Sequence, residues 1–135
     1  PLSIPHIFDS EKRLVQDCLD TGWISSAGKY VDDFERIISD FTGIKYSCAV
    51  MNGTSGLHLA LKAMGITNND CVLTNNLTFA ATLNSISYTG AEPILVDVKR
   101  DTWQIDLNLL QCWLRSATYL RPRPNVAYIP PLPWI

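Results

Sequence analysis

Between Lys45 and Val98 three short apolar runs, 46–51, 71–74 and 93–98, alternate with two segments in which apolar residues recur at helical spacing. The first helical segment, 55–64, carries Leu57, Ala60, Leu61 and Met64 on one face. The second, 78–88, is rich in small residues and closes at Gly90. The joins are too short for anything but compact turns. Strand, helix, strand, helix, strand in this order predicts parallel strands, because a parallel pair needs a crossover long enough to hold a helix. The chain therefore reads as α/β, a mostly parallel sheet with flanking helices.

Two further helices precede this pattern. Ser10 is placed to cap the first, which carries Leu14, Val15, Cys18 and Leu19 on one face and stops at Gly22. Val31, Phe34, Ile37, Ile38 and Phe41 mark the second, stopped by Gly43. After a helix predicted over 106–117, five of the eight prolines fall in the last fourteen residues. Proline lacks the backbone donor that a central strand needs, so this tail reads as a docking or linker segment. The organisation expected is 1–44 helical, 45–118 α/β and 119–135 a Pro-rich tail.

Composition narrows the function classes. A chain of 135 residues holds one globular domain at most. A net charge of −2 argues against a general nucleic-acid binder, and 47% hydrophobic with 18% charged residues is a core-forming balance. No apolar run approaches the roughly 18 residues that cross a bilayer, and residues 1–8 lack a secretory pattern, so a cytoplasmic setting is the expectation. Cys18, Cys48, Cys71 and Cys112 lie far apart with no C-x-x-C pair, and His6 and His58 are equally scattered. No metal site is expected, and the cysteines read as small core residues.

Three short stretches can carry chemistry. Asn52-Gly53-Thr54-Ser55-Gly56 joins a strand to a helix, where unpaired amides and the helix dipole favour a phosphate. The plainer alternative is that Thr54 simply caps the helix. A hairpin at Asn-Gly loses, because helical spacing follows rather than alternation. Neither the dinucleotide fingerprint nor the P-loop is present. Leu77-Thr78-Phe79 follows the second strand at the carboxyl edge, where open α/β sheets bind ligands, so Phe79 is either a stacking ring or ordinary core. Trp23-Ile24-Ser25-Ser26 offers an aromatic and two hydroxyls, or is a plain interhelical loop.

Read together, these blocks are not anonymous. Gly22-Trp23-Ile24-Ser25-Ser26-Ala27-Gly28-Lys29-Tyr30-Val31, Phe34-Glu35, Asn52-Gly53-Thr54-Ser55, Leu57-His58-Leu59-Ala60-Leu61, Leu77-Thr78-Phe79-Ala80-Ala81-Thr82, Tyr88-Thr89-Gly90-Ala91 and Val96-Asp97-Val98 occur in an order that resembles the start of the pyridoxal-phosphate-dependent nucleotide-sugar aminotransferases, the DegT/DnrJ/EryC1/StrS family. The resemblance covers roughly residues 1–118. Trp23 to Gly28 and Asp101-Thr102-Trp103 resemble the branch that serves 4-amino sugars of legionaminic-type pathways. It implies an incomplete fold-type-I large domain over 45–118. It also implies pyridoxal phosphate as cofactor, with its phosphate at Gly53, Thr54 and Ser55 and its ring against Phe79. Trp23, Ser25 and Ser26 become substrate-contact candidates. A nucleotide sugar and glutamate are the implied substrates, and a homodimer the implied assembly.

The same resemblance requires a Schiff-base lysine after a serine-rich stretch and an aspartate for the pyridinium nitrogen. Lys12, Lys29, Lys45, Lys62 and Lys99 match no such motif, so no catalytic residue is assigned, and both groups are expected beyond residue 135. Three departures from the family pattern accompany this. Gly56 stands where alanine is usual, Cys71 where an acidic residue precedes the second strand, and Asn125-Val126-Ala127-Tyr128 onward replaces the next strand. A truncated, partner-dependent or self-associating chain is the expectation, with a frameshift or premature stop as one origin of the tail.

Overall fold

The computed structural model describes residues 3–120 together with the backbone of 126–127, with side chains as far as Arg115. The chain divides into two compact units, Pro1–Ala49 and Val50–Ile135. No helix among the described residues is long and apolar enough to cross a membrane.

The first unit holds α1 (Asp9–Thr21) and α2 (Lys29–Thr42). Phe8, not Ser10, is the N-cap of α1. The Phe8 amide donates to Glu11 Oε2 at 2.8 Å, and the Ser10 hydroxyl, inside the first turn, donates to the same oxygen at 3.0 Å. A glutamate three residues past the cap reaches back to the first amide, which releases Ser10 from that task. Both helices stop at the predicted glycines, Gly22 with φ 74 and Gly43 with φ 71, left-handed conformations that glycine adopts without penalty. The apolar residues Leu14, Leu19, Phe34 and Phe41 of these helices remain exposed.

Tyr30 Oη donates to Asp17 Oδ2 at 2.7 Å and so ties α2 to α1. This hydrogen bond, with the Asp17 charge behind it, pushes the phenol up to about 12. The folded value lies above the ordinary 10.0. The bond therefore contributes fully below pH 10 and is lost as pH rises through about 12. Tyr30 is expected to ionise late in a 295 nm titration, and Asp17→Asn is expected to remove that late step. A wild-type titration with no late step that Asp17→Asn removes contradicts the assignment.

Residues 46–51, predicted as a buried strand, join no ladder. Tyr46 and Met51 are exposed. The segment is tied instead to Glu35, whose carbonyl accepts from Ser47 Oγ and whose Oε1 accepts from the Ala49 amide at 2.7 Å. An apolar run becomes a strand only where a neighbour offers main-chain partners, and Glu35 meets those needs locally.

The second unit runs α3 (Gly53–Ala63), β1 (Cys71–Asn75), α4 (Ala80–Ser87), β2 (Glu92–Val96), α5 (Leu107–Leu120) and β3 (Val126–Ala127). The sheet order is β2-β1-β3, and both pairings are parallel, from Cys71 beside Glu92 to Asn75 beside Val96, and from Cys71 beside Val126 to Val72 beside Ala127. The core consists of Leu61 from α3, Ile66, Val72 from β1, Ile86 from α4 and Ala91. These residues are what fasten the two helices to the sheet.

Several boundaries shift. α3 begins two residues early because Asn52 caps it: Asn52 Oδ1 accepts from the Ser55 amide at 2.9 Å. Thr54 is therefore not the cap. α4 begins at Ala80 rather than 78, with Phe79 as its N-cap. Cys71 lies inside β1, not ahead of it, and the buried acidic residue before the strand is Asp70, whose Oδ2 accepts from the Thr67 amide at 2.8 Å. β2 ends at Val96, and Val98 makes a single antiparallel bridge to Ile105 across a turn that holds Trp103 at φ 60. Asp106 caps α5, its Oδ1 accepting from the Asn108 amide at 2.8 Å. Where that next strand was expected to be replaced, Val126–Ala127 form β3, at one edge of the sheet among the described residues. The proline clusters at 121–124 and 129–135 lie outside the described residues.

Candidate functional site

The carboxyl edge of the sheet gathers the chemistry of the second unit. α4 is the crossover between parallel β1 and β2 and runs opposite to them. α3 returns through a short join into β1, so it too runs opposite to the strands. His58, five residues into α3, places Nδ1 3.3 Å from the carbonyl oxygen of Ser85, five residues into α4. Leu61 and Ile86 meet in the core just beyond. The two helices are thus side by side and begin at the same level, which sets the Gly53-Thr54-Ser55 turn and Phe79 at the same end of the helix pair, the end of β1.

At the start of α3 the amides of Gly53 and Thr54 have no carbonyl one helical turn earlier, so they point outward with the positive end of the dipole. A Cβ on Gly53 meets nothing within 4 Å, so the space over this turn is open. Gly56, one turn in, is half-buried against Val50, and a Cβ there would sit 3.4 Å from Val50 Cγ2. Alanine would fit, so packing does not account for this departure from the family pattern. The Phe79 side chain is 82% exposed and takes no part in the core. Of the two readings open at the sequence level, ordinary core is therefore wrong for this ring.

Trp23, Ser25 and Ser26 stand in the loop between α1 and α2, in the other unit. Trp23 is exposed, and its ring lies against Gly28, where a Cβ would come 3.4 Å from Trp23 Cε3. Ser25 Oγ accepts from the Ala27 amide at 3.4 Å, a long bond that holds the loop only weakly. Both serine side chains are exposed.

Sequence reasoning passed over Asn76 and Asp97 at the same edge. Asn76 Nδ2 donates to Asp97 Oδ1 at 3.0 Å, and the Val98 amide donates to that oxygen at 2.8 Å. The Val98 bond first, then the Asn76 bond, holds the Asp97 carboxyl below its ordinary range. Each directly follows a strand, Asn76 after β1 and Asp97 after β2, a position that the apolar runs 71–74 and 93–98 did not mark. Asn52 was signalled, since asparagine is among the best helix caps.

A parallel sheet with this pair of level helices is the opening portion of a fold-type-I pyridoxal-phosphate transferase large domain, as solved neighbours show. The candidate sugar aminotransferase Spr1654 of Streptococcus pneumoniae, solved in a PLP form, superposes with a TM-score of 0.76 at 31% identity, over 83% of this chain and 28% of that one. The model of the DegT/DnrJ/EryC1/StrS aminotransferase family matches residues 5–119, and the chain belongs to that family. A GDP-perosamine synthase of Escherichia coli O157:H7 is 44% identical over 118 residues, covering 87% of this chain and 32% of the relative. One from Caulobacter vibrioides is 40% identical over 117 residues, with the same two shares. The chain therefore spans about a third of the length of these curated relatives.

Proposed function

We propose that this chain forms the cofactor-phosphate and ring-stacking part of a nucleotide-sugar aminotransferase, with Gly53, Thr54 and Ser55 at the phosphate of pyridoxal phosphate and Phe79 against its ring. The observation that carries this reading is the level start of α3 and α4, which sets outward amides and two hydroxyls at the same end of the helix pair as an aromatic ring free of the core. The residues present fit such a group: donors and dipole for a dianion, and a flat apolar face for a heteroaromatic ring. When bound, the cofactor supplies the electron sink that amino transfer needs. The chain's own residues bind and orient it. The first amides of α3 and the Thr54 and Ser55 hydroxyls take the phosphate charge, and Phe79 limits the tilt of the ring.

The amino donor proposed is glutamate, and the acceptor a 3-keto or 4-keto nucleotide sugar on a route to surface polysaccharide or amino-sugar metabolites. Two relatives bear the name of a GDP-linked sugar, which supports a nucleotide-bound acceptor. Trp23, Ser25 and Ser26 are proposed to contact that sugar, in a cytoplasmic homodimer. None of the five lysines matches the family's Schiff-base motif, so the chain alone is proposed to bind without turnover. A second reading, a non-catalytic module that pairs with another chain, is favoured by the exposed apolar face of α1 and α2.

Titration of the chain with pyridoxal phosphate, followed by absorbance and tryptophan fluorescence, tests the reading. Saturable binding is expected. Thr54→Ala should weaken it about tenfold, the size of one charge-assisted hydrogen bond. Phe79→Ala should weaken it roughly five- to tenfold through lost stacking. Binding indifferent to both substitutions, or no binding, overturns it.

A further inference from the structure

We infer that the Asp97–Asn76 pair is a positioning device for Phe79: it fixes the loop that delivers the ring and thereby sets cofactor affinity. This rests on the reading above that Phe79 meets the cofactor. An aromatic side chain in a core is held by its neighbours, but Phe79 has almost none. Its place is set by the backbone between the end of β1 and the start of α4.

That backbone is pinned at each step. The Asn76 amide donates to the Val96 carbonyl at 3.1 Å, carrying the β1–β2 ladder one residue beyond the strand. The Asn76 side chain then donates to Asp97 Oδ1. Asn75 Nδ2 donates to the Leu77 carbonyl at 3.0 Å, and the Thr78 and Thr82 hydroxyls lie 2.8 Å apart. Every residue from Asn75 to Thr78 is thus held by its own side chain or its own carbonyl. Two partners of this loop, Val96 and Asp97, belong to the end of β2, and of these only Asp97 acts through its side chain. Its side chain holds both Asn76 and the Val98 amide, while its carbonyl accepts from the Asp106 amide at 2.9 Å. The loop before Phe79 is therefore anchored to the end of β2, not merely to itself. An ionised acceptor makes that anchor stronger than a neutral pair would be.

The test uses the full chain with pyridoxal phosphate as probe. Asp97→Ala and Asn76→Ala are each expected to weaken binding roughly three- to tenfold, and the double variant no more than the worse single one. Asp97→Asn keeps an accepting oxygen and is expected to restore affinity to within about twofold of wild type. In a Phe79→Ala background, Asp97→Ala should change affinity no further, because the ring it positions is gone. A loss that persists in that background overturns the inference, since it shows a general structural role. Unchanged affinity in Asp97→Ala overturns it as well. Should the wild-type chain bind no cofactor, the functional reading fails, and hydrogen exchange at the 76–80 amides decides the anchoring by itself. Exchange unaltered by Asp97→Ala then overturns the anchoring, and faster exchange upholds that part of the inference alone.

Discussion

Leu61→Ala is expected to lower the stability of the Val50–Ile135 unit by about 2–5 kcal/mol, the range for emptying a buried leucine site. Leu61 is 2% exposed and projects from α3 into a core that it shares with Ile66, Val72, Ile86 and Ala91. The lost methyl groups take away transfer free energy, and the cavity left behind adds to the loss because β1 cannot move without breaking its pairings on both sides. Set against a total of roughly 5–15 kcal/mol for a natural domain, this is a large fraction. Leu59, on the same helix but 45% exposed, is the control: its replacement by alanine should cost well under half as much. Urea melts read both, and equal midpoints for wild type and Leu61→Ala would show that this cluster is not the unit's core.

The second large effect is expected at Gly90. Its φ is 87, and a Cβ there would lie 3.0 Å from Asn68 Cβ and 3.4 Å from Asn68 Cα. Gly65 shares the conformation, with φ 79, but has nothing within 4 Å of the same position. Gly65→Ala therefore carries only the left-handed backbone penalty, roughly 1–2 kcal/mol. Gly90→Ala carries that and a contact against the chain itself, adding about 1–3 kcal/mol as other overpacked sites do. The difference between the two melts isolates the contact. If both variants melt together, Asn68 moves aside freely and the turn before β2 is softer than its geometry indicates.

What could be read from residues alone divides along a physical line. Periodicity located α3, α4 and α5, β1 and β2, because burial against a sheet imposes a repeat that the side chains must obey. Gly22 and Gly43 stopped helices as glycines do when a left-handed residue is required. Residues 46–51 defeated the same logic, since apolar content tells of burial only where a partner strand is present. The cap at Asn52 was masked by the hydroxyls beside it, and a choice among adjacent cap formers turns on which backbone takes the extended conformation. Phe79 and the Gly53-Thr54-Ser55 turn were legible as candidates. Their sharing one end of a helix pair was not, because it follows from the matched starts of two helices 27 residues apart along the chain, as His58 and Ser85 are. The Asp97–Asn76 bond is longer-range still, and no local pattern announces it.

The place of β1 between its two neighbours also orders events in time. Its first residue, Cys71, pairs with Glu92 on one side and with Val126 on the other, 21 and 55 positions further along the chain. Closing the longer loop costs roughly 1 kcal/mol more in chain entropy, and only two residue pairs reward it against five on the other side. The β1–α4–β2 segment is therefore the expected nucleus of this unit, with β3 expected to join its edge later, and φ-values near zero at Val126 would bear this order out.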